Sequence, residues 1–251
     1  MLRVETNGPV LYVTLNRPDV RNAFNDELID ALYETFSTVD ESIRAIVLSG
    51  AGQTFCAGGD LNWMRKAADY TEEQNYADAF KLAWVFKAMA ECPAVIIAKV
   101  YGAAYGGGCG LVAAADVAIA SQDTQFAFSE VRLGLIPATI SPFVIEKIGA
   151  GHAKALFTTG ETFNANKALT IGLIHEMVLF SELGGAVEKK LKAILSAGPK
   201  AVALSKQIAQ SPPMTPEESA RALAQARASD EGKEGVAAFL EKRVPAFKVL
   251  R

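Results

Sequence analysis

Cysteine and histidine are scarce in this chain of 251 residues, which holds three cysteines and two histidines. Cys56, Cys92 and Cys109 are odd in number and lack the paired spacing that metal ligands usually show. Only His152 and His175 could add imidazole ligands, so we expect neither a metal site nor a disulfide framework. The sequence instead predicts buried thiols in a protein of a reducing compartment.

Long apolar runs and a strong net charge are also missing. No apolar stretch reaches about 18 residues, the length that predicts a membrane-spanning helix, and the N-terminus lacks the apolar segment of a secretion signal. A net charge of -3 gives no overall attraction to nucleic acid or to an anionic membrane. We therefore expect a cytoplasmic protein without a membrane or nucleic-acid partner.

Strand and helix signals alternate over the first part of the chain and then give way to helices. Thr71 with Gln74 forms a capping box that predicts the start of a long helix, and Thr215 with Glu218 forms a second one. Strand signals disappear beyond about Phe180. The pattern predicts an α/β core over residues 1–195, followed by a helical C-terminal region over residues 196–251.

Two glycine-rich loops carry the first functional signal. Gly106 to Gly108 close a predicted strand and open a predicted helix, so N–H groups of the first helical turn point outward with a positive partial charge. The segment from Ala57 to Asp60 has the same character. Converging N–H groups suit a developing enolate oxygen. A plain tight turn and a phosphate cradle are the alternatives, but neither loop carries the lysine and hydroxyl of a Walker sequence.

The order of five segments resembles the crotonase, or enoyl-CoA hydratase, superfamily over nearly the whole chain. These segments are Asn16-Arg17-Pro18, Asn22-Ala23-Phe24, Phe55-Cys56-Ala57-Gly58-Gly59-Asp60, Gly106-Gly107-Gly108-Cys109 and Phe128-Ser129-Glu130-Val131-Arg132-Leu133-Gly134. The stretch from Gly235 to Arg243 resembles that family's C-terminal helix. The resemblance implies a spiral of ββα units with a helical C-terminal trimerisation region. It also implies acyl-CoA thioester ligands, with coenzyme A part of the substrate and no separate cofactor, and a homotrimer or a dimer of trimers.

Carried over residue by residue, the resemblance implies a catalytic set and a binding set. The catalytic set is the N–H groups of Gly59 and Gly107, as donors to the thioester oxygen, and Glu130 as general acid/base. The substrate-binding set is Val20, Arg21, Ala23, Ala57, Gly58, Asp60, Leu61, Tyr105, Gly110, Pro137 and Lys242. Lys242 would reach the coenzyme A of a neighbouring subunit.

The pair of glutamates that the best-known hydratases use is incomplete here. The second glutamate of that pair maps to Glu130, but the first maps to Gly110. The missing side chain predicts free space beside Glu130 for water or a branched acyl group. A single carboxyl suits hydration, in which it serves both water and the α-carbon, and it also suits an enoyl-CoA isomerase.

The residues from Ser129 to Phe143 favour hydration. They resemble a bacterial subgroup assigned to branched, carboxylated substrates of leucine or acyclic-terpene breakdown, such as methylglutaconyl-CoA. A non-catalytic CoA-thioester or RNA-binding protein on the same fold is a further alternative. The acidic net charge argues against RNA, and the intact glycine loops with Glu130 argue against loss of catalysis.

For several of these residues a structural role is the alternative to substrate binding. Asp60 suits a helix cap, Tyr105 suits the core, and Lys242 suits a solvated helix face. Arg132, two residues from Glu130, would share its side of a strand. There it would bind a substrate carboxylate or form a surface ion pair, and the latter is favoured.

Overall fold

The computed structural model describes residues 1–249, which form nine strands and ten α-helices. The strands are β1 (Leu2–Asn7), β2 (Val10–Leu15), β3 (Ala45–Gly50), β4 (Val95–Val100), β5 (Ala103–Tyr105), β6 (Val117–Ser121), β7 (Gln125–Ala127), β8 (Thr162–Asn164) and β9 (Glu176–Val178). The helices are α1 (Asp26–Ser37), α2 (Leu61–Ala67), α3 (Glu72–Glu91), α4 (Gly107–Ala114), α5 (Ser141–Thr159), α6 (Ala165–Thr170), α7 (Leu183–Ser196), α8 (Pro199–Gln210), α9 (Pro216–Ala228) and α10 (Asp230–Leu240). The predicted α/β class is confirmed.

The strands form two sheets. The larger sheet has the order β1-β2-β3-β4-β6-β9, and each neighbouring pair is parallel except the antiparallel pair of β1 and β2. In the smaller sheet β7 lies between β5, to which it is parallel, and β8, to which it is antiparallel. Strands β3 and β4 are nearly continuous apolar runs because both faces of this part of the sheet are covered.

Helices cover the two faces of the larger sheet differently. On one face Leu48 and Ile96 join a large cluster that includes Leu28 of α1, Phe86 of α3 and Leu111 of α4. On the other face Val47 and Ile97 pack in a smaller cluster with Leu191 of α7. The larger cluster lies beneath the loops that follow β3 and β4 and so supports the candidate site.

The helix starts follow local capping rules. Asn25 caps α1 by accepting from the N–H of Leu28, and both predicted capping boxes are present, at Thr71 before α3 and at Thr215 before α9.

The C-terminal region is helical, since no strand follows Val178 within residues 1–249. Of the region 196–251 that the sequence marks as separate, residues 250 and 251 lie outside the described residues, and the boundary itself stays a prediction. No helix in the described part of the chain is long and apolar enough to cross a membrane. The three cysteine thiols are free and buried.

Candidate active site

The site is built where loops leave the carboxyl ends of two neighbouring strands. The chain leaves β3 at Gly50 and returns through residues 51–60, while β4 leads through β5 into α4. An isolated parallel bridge between Cys56 and Ala104 joins these loops, and a second one, between Phe24 and Gly59, joins the first loop to the segment before α1. The two glycine segments that the sequence singled out therefore lie side by side.

Two backbone N–H groups at this junction have no acceptor. The Phe24 N–H donates to the carbonyl oxygen of Gly58 at 2.7 Å and the Asp60 N–H to that of Phe24 at 2.8 Å, which leaves the N–H of Gly59 out of the bridge. Gly107 is the first residue of α4, where an N–H has no partner within the helix. Among residues 1–249 no group accepts a hydrogen bond from either N–H. Both are therefore available to a ligand oxygen.

Close approach of the two segments requires glycine. A Cβ on Gly58 would lie 3.1 Å from the Tyr105 carbonyl oxygen, and a Cβ on Gly107 would lie 2.9 Å from the Phe24 ring. Gly106, the N-cap of α4, has φ of 50°, a conformation that glycine adopts without strain. Side chains at these positions would push the two loops apart.

The carboxyl group of Glu130 faces the start of α4. One of its oxygens, Oε1, lies 3.2 Å from the position that a Cβ on Gly106 would take. The other, Oε2, is buried and has no hydrogen-bond partner in the described part of the chain. Burial raises the pKa of Glu130 above its ordinary 4.5, and a hydrogen bond from its own backbone only partly offsets this. The site thus holds one carboxyl that is poised to exchange a proton.

Comparisons with known proteins identify the family of this chain. The model of the family described as enoyl-CoA hydratase/isomerase matches residues 5–249. The crotonyl-CoA hydratase of Syntrophomonas wolfei is 34% identical over 256 residues, an alignment that covers 98% of this chain and 96% of the relative. The chain belongs to the enoyl-CoA hydratase/isomerase family.

Solved structures of this family superpose on nearly the whole chain. An enoyl-CoA hydratase from Shewanella pealeana gives a TM-score of 0.92 at 38% identity, covering 98% of this chain and 95% of that one. Pseudomonas aeruginosa AtuE gives a TM-score of 0.94 at 35% identity and covers 99% of both chains. The crotonase fold implied by the sequence motifs is therefore confirmed.

The expected space at Gly110 is absent. A Cβ built on Gly110 would lie 2.3 Å from Cγ2 of Ile140 and 2.8 Å from the Phe86 ring. These two apolar side chains fill the volume that a side chain on this residue of α4 would need. The prediction that Gly110 leaves room beside Glu130 for water or an acyl branch is wrong, because tight packing replaces the missing side chain.

The local structure at Arg132 also differs from the prediction. Residues Glu130–Leu133 form a 3₁₀-helix rather than a strand. In a 3₁₀-helix residues i and i+3 share a face, whereas i and i+2 do not, so Arg132 leaves the side of Glu130 and is exposed. Among the described residues Arg132 forms no ion pair.

Asp60 is occupied by structural contacts. Its side chain caps α2 by accepting from the N–H groups of Asn62 and Trp63, and it accepts from Arg17 at 2.8 Å. Burial opposes the charge, but hydrogen bonds from Asn62 and Arg17 hold the pKa of Asp60 below its ordinary value. The cap that the sequence favoured is present, and its carboxylate is not free for a ligand.

Arg17 and Asn22 are positioning residues whose importance sequence reasoning missed. Arg17 also donates to the carbonyl oxygen of Ala23, and the buried Asn22 donates to those of Ala51 and Thr54 at 2.9 and 2.7 Å. Together they tie the loop before α1 to the loop that carries Gly59. The adjacent Asn16-Arg17-Pro18 and Asn22-Ala23-Phe24 motifs were the available signal.

The remaining predicted binding residues fall into two groups. Arg21 lies beside Ala57, whose N–H donates to the Arg21 carbonyl oxygen at 3.0 Å, and Val20 and Leu61 are exposed near this junction. Ala23 is buried behind them. These residues lie beside the Gly59 loop, and their role in substrate binding stays a prediction.

Tyr105, Pro137 and Lys242 occupy different settings. Tyr105 is half-buried at the end of β5, and Pro137 is buried in the segment between Glu130 and α5. Lys242 is exposed beyond α10, and no hydrogen bond or ion pair in the described part of the chain joins it to the site loops. Its predicted role in a neighbouring subunit stays a prediction.

No group of three or more His, Cys, Asp or Glu side chains in residues 1–249 is arranged to hold a metal ion. The described residues bring two N–H donors and the Glu130 carboxyl to the junction.

Proposed function

We propose that this enzyme adds water across the α,β double bond of an enoyl-CoA thioester, or removes it in the reverse direction. The observation that carries the proposal is the half-buried Glu130 carboxyl, with an unpartnered oxygen, next to the start of α4. Membership of the enoyl-CoA hydratase/isomerase family and relatives named crotonyl-CoA and short-chain-enoyl-CoA hydratase support it.

The N–H groups of Gly59 and Gly107 bind the thioester oxygen in this proposal. As water attacks Cβ, the electron pair of the double bond moves towards the thioester, and negative charge grows on that oxygen. Preorganised N–H donors stabilise such charge, and removal of one donor costs about 3–4 kcal/mol in comparable sites. The positive end of α4 adds to this effect at Gly107.

Glu130 moves the protons. Its ionised carboxylate accepts a proton from water while the water oxygen bonds to Cβ, and the resulting carboxylic acid delivers a proton to Cα. The carboxylate is regenerated and a 3-hydroxyacyl-CoA is released. A pKa raised by burial suits both halves of this cycle, because the group then accepts and returns a proton closer to neutral pH.

Isomerisation is the second candidate function, and one observation favours it. Gly110 carries no carboxyl, and Ile140 and Phe86 occupy the neighbouring volume, so Glu130 has no second carboxyl beside α4. A single carboxyl can take a proton from one carbon and return it to another without using water.

The acyl group and the assembly are finer parts of the proposal. The stretch from Ser129 to Phe143 supports a branched or carboxylated acyl group such as that of methylglutaconyl-CoA, with no separate cofactor. Exposed apolar side chains on the last two helices support a homotrimer or a dimer of trimers. These side chains are Leu223 of α9 and Val236, Phe239 and Leu240 of α10.

Labelled water separates the two reactions. The purified protein is incubated with crotonyl-CoA, methylglutaconyl-CoA and a 3-enoyl-CoA in water enriched in ¹⁸O, and the products are analysed by mass spectrometry. Hydration places ¹⁸O at Cβ, whereas isomerisation shifts the double bond of the 3-enoyl-CoA without oxygen uptake. If wild-type protein forms neither product from any thioester, the proposed function is wrong.

A further inference from the structure

Lys147 lies on α5, away from the candidate site, yet its side chain ends at α4. Its Nζ donates to the carbonyl oxygen of Val112 at 3.1 Å, to that of Ala113 at 3.3 Å, and to that of Ala115. An ammonium group has three N–H donors, and three carbonyls accept them. The bonding capacity of this charged group is thus fully used by the C-terminal end of one helix.

Those carbonyls belong to the helix whose other end carries Gly107. Helix α4 spans Gly107–Ala114, so its ends are separated by about 12 Å at 1.5 Å per residue. The last carbonyls of a helix lack partners within it and carry negative partial charge, which a cation at that end stabilises. Lys147 supplies both the missing donors and the cation.

Lys147 reaches α4 from the helix that follows the Glu130 segment in the chain. Helix α5 follows the segment that begins at Glu130, and the side chain of Ile140, which caps its start, packs on Gly110 of α4. Along their length, Val144 and Ile148 of α5 share a buried apolar cluster with Leu111 of α4. Lys147 adds the polar contact of α5 with the C-terminal end of α4, where the carbonyls need donors.

We propose that Lys147 is a positioning residue that fixes the direction of α4, and hence the aim of the Gly107 N–H at the thioester oxygen. The inference rests on the proposed function of Gly107 as an oxyanion donor. Because that contact strengthens in the transition state, misalignment lowers kcat more than it raises KM.

The surroundings of Lys147 give the contact a pH dependence. Burial lowers the pKa of Lys147 to about 8, while the charges of Asp116 and Glu146 act in the opposite direction. His175 and Lys206 are the other titratable groups nearby. Burial first, and then the charge of Lys147, lower the pKa of His175, and Lys206 lines with Lys147 a cavity of about 350 Å³. A neutral amine has two N–H donors rather than three, so one carbonyl of α4 loses its partner as the pH rises through about 8.

A matched set of variants tests the inference. Lys147→Met removes the charge at similar length, and Lys147→Arg keeps a charge at every accessible pH. Lys206→Met is the control, because Lys206 lines the same cavity but pairs with Asp116 at 2.9 Å and the Ala94 carbonyl rather than with α4. Steady-state hydration kinetics between pH 6.5 and 9 are measured for each, with thermal unfolding as the check on folding.

We expect Lys147→Met to lower kcat about tenfold with KM nearly unchanged, a part of the 10²–10³-fold that loss of a whole oxyanion donor costs. Wild-type kcat should fall above pH about 8, and Lys147→Arg should keep its kcat there. Lys206→Met should behave as wild type.

Three results would overturn the inference: equal losses in Lys147→Met and Lys206→Met, a loss confined to KM, or an alkaline fall that persists in Lys147→Arg. If Lys147→Met does not fold, the pH profiles of the wild type and of Lys147→Arg still decide the question. Failure of the inference leaves a wild-type enzyme that hydrates enoyl-CoA, whereas failure of the proposed function leaves no hydration to measure, so the two are distinguishable.

Discussion

The α/β core and the C-terminal helices treat apolar side chains in opposite ways. Around the site, Phe24, Phe86 and Ile140 are buried and packed against glycine backbone. By contrast, α8 and α9 contain no buried residue, and Phe239 on α10 is 82% exposed. The apolar side chains of the core are covered within one chain, whereas those on the outer faces of the last helices are exposed in it.

We infer from this difference that the proposed catalytic groups and the proposed assembly surface lie in different parts of the chain. The two free N–H groups and Glu130 lie on core segments that contact one another directly, so one chain contains every group of the proposed catalytic set. Changes in the core should therefore alter turnover or folding, and changes on α9 and α10 should alter association first. The following predictions test that division, beginning with the largest effect.

Glu130→Gln tests the core at its chemical centre. Removing the proton acceptor at nearly constant volume should lower turnover by about 10²–10⁴-fold, with the thioester still bound and association unchanged. The acid limb of the wild-type pH–rate profile should lie above pH 4.5, because burial raises the pKa of Glu130, and the variant should lack it. Turnover close to that of the wild type would refute the catalytic assignment.

Unfolding measurements on Glu130→Gln should show whether the ionised carboxylate raises or lowers the stability of the fold. A carboxyl whose pKa is raised by folding binds more protons in the folded state, so its ionisation lowers stability as pH rises through that raised pKa. Near neutral pH the glutamine variant should then be at least as stable as the wild type. A clear loss of stability would show that Glu130 holds the fold rather than serving the reaction.

Gly110→Ala tests how tightly the core is packed. Its new methyl group would meet Ile140 and Phe86, so we expect the free energy of unfolding to fall by about 1–3 kcal/mol. Gly151→Ala on α5 is the matched control, since nothing lies within 4 Å of its added Cβ and a helical Gly→Ala change stabilises by about 0.4–1 kcal/mol. Chemical denaturation measures both. Equal changes in the free energy of unfolding for the two variants would mean that the Ile140 side chain moves aside at little cost.

Phe239→Asp tests the outer region. Burial of a phenylalanine stabilises by about 1.5–3 kcal/mol, so a charge in its place should weaken association while the monomer keeps its fold. Sedimentation velocity at micromolar concentration should show smaller species than for the wild type. A wild-type chain that already sediments as a monomer would contradict the proposed assembly.

Thr215→Ala gives the smallest effect and compares the two regions directly. The same capping box begins α3 at Thr71 and α9 at Thr215, and loss of a cap costs about 1 kcal/mol. In Thr71→Ala that loss should appear in global unfolding. In Thr215→Ala it should appear as faster amide hydrogen exchange confined to α9, if the outer helices open separately. Identical exchange in both variants would argue for one cooperative unit.

Sequence reasoning performed well where a rule is local. Thr71 and Thr215 each cap the predicted helix because a side chain meets an N–H three residues away. The alternation of strand and helix signals over the first part of the chain is confirmed, and β2, β3 and β4 are mainly apolar. The glycine segments were visible because few other patterns place backbone amides at a strand-to-helix junction.

What the sequence could not show depends on contacts between distant residues. Glycine at position 110 suggested space, but Ile140, thirty positions away, fills it. The 3₁₀ turn at Glu130 overrode the strand pattern, so Arg132 left the side predicted for it. The bonds from Lys147 to α4 had no sequence signal either, since its carbonyl partners are backbone atoms that any residue would supply.

The buried cysteines make it possible to measure how often the loops of the site separate from α4. Cys56 lies in the loop that carries Gly59, and Cys109 lies on α4. Burial raises the pKa of both thiols, that of Cys56 to about 12, so both are protonated at neutral pH. Alkylating reagents can react with them only when the loops and α4 separate. Cys92, buried after α3, is the reference, so the ratio of labelling rates would report how often the site opens without unfolding.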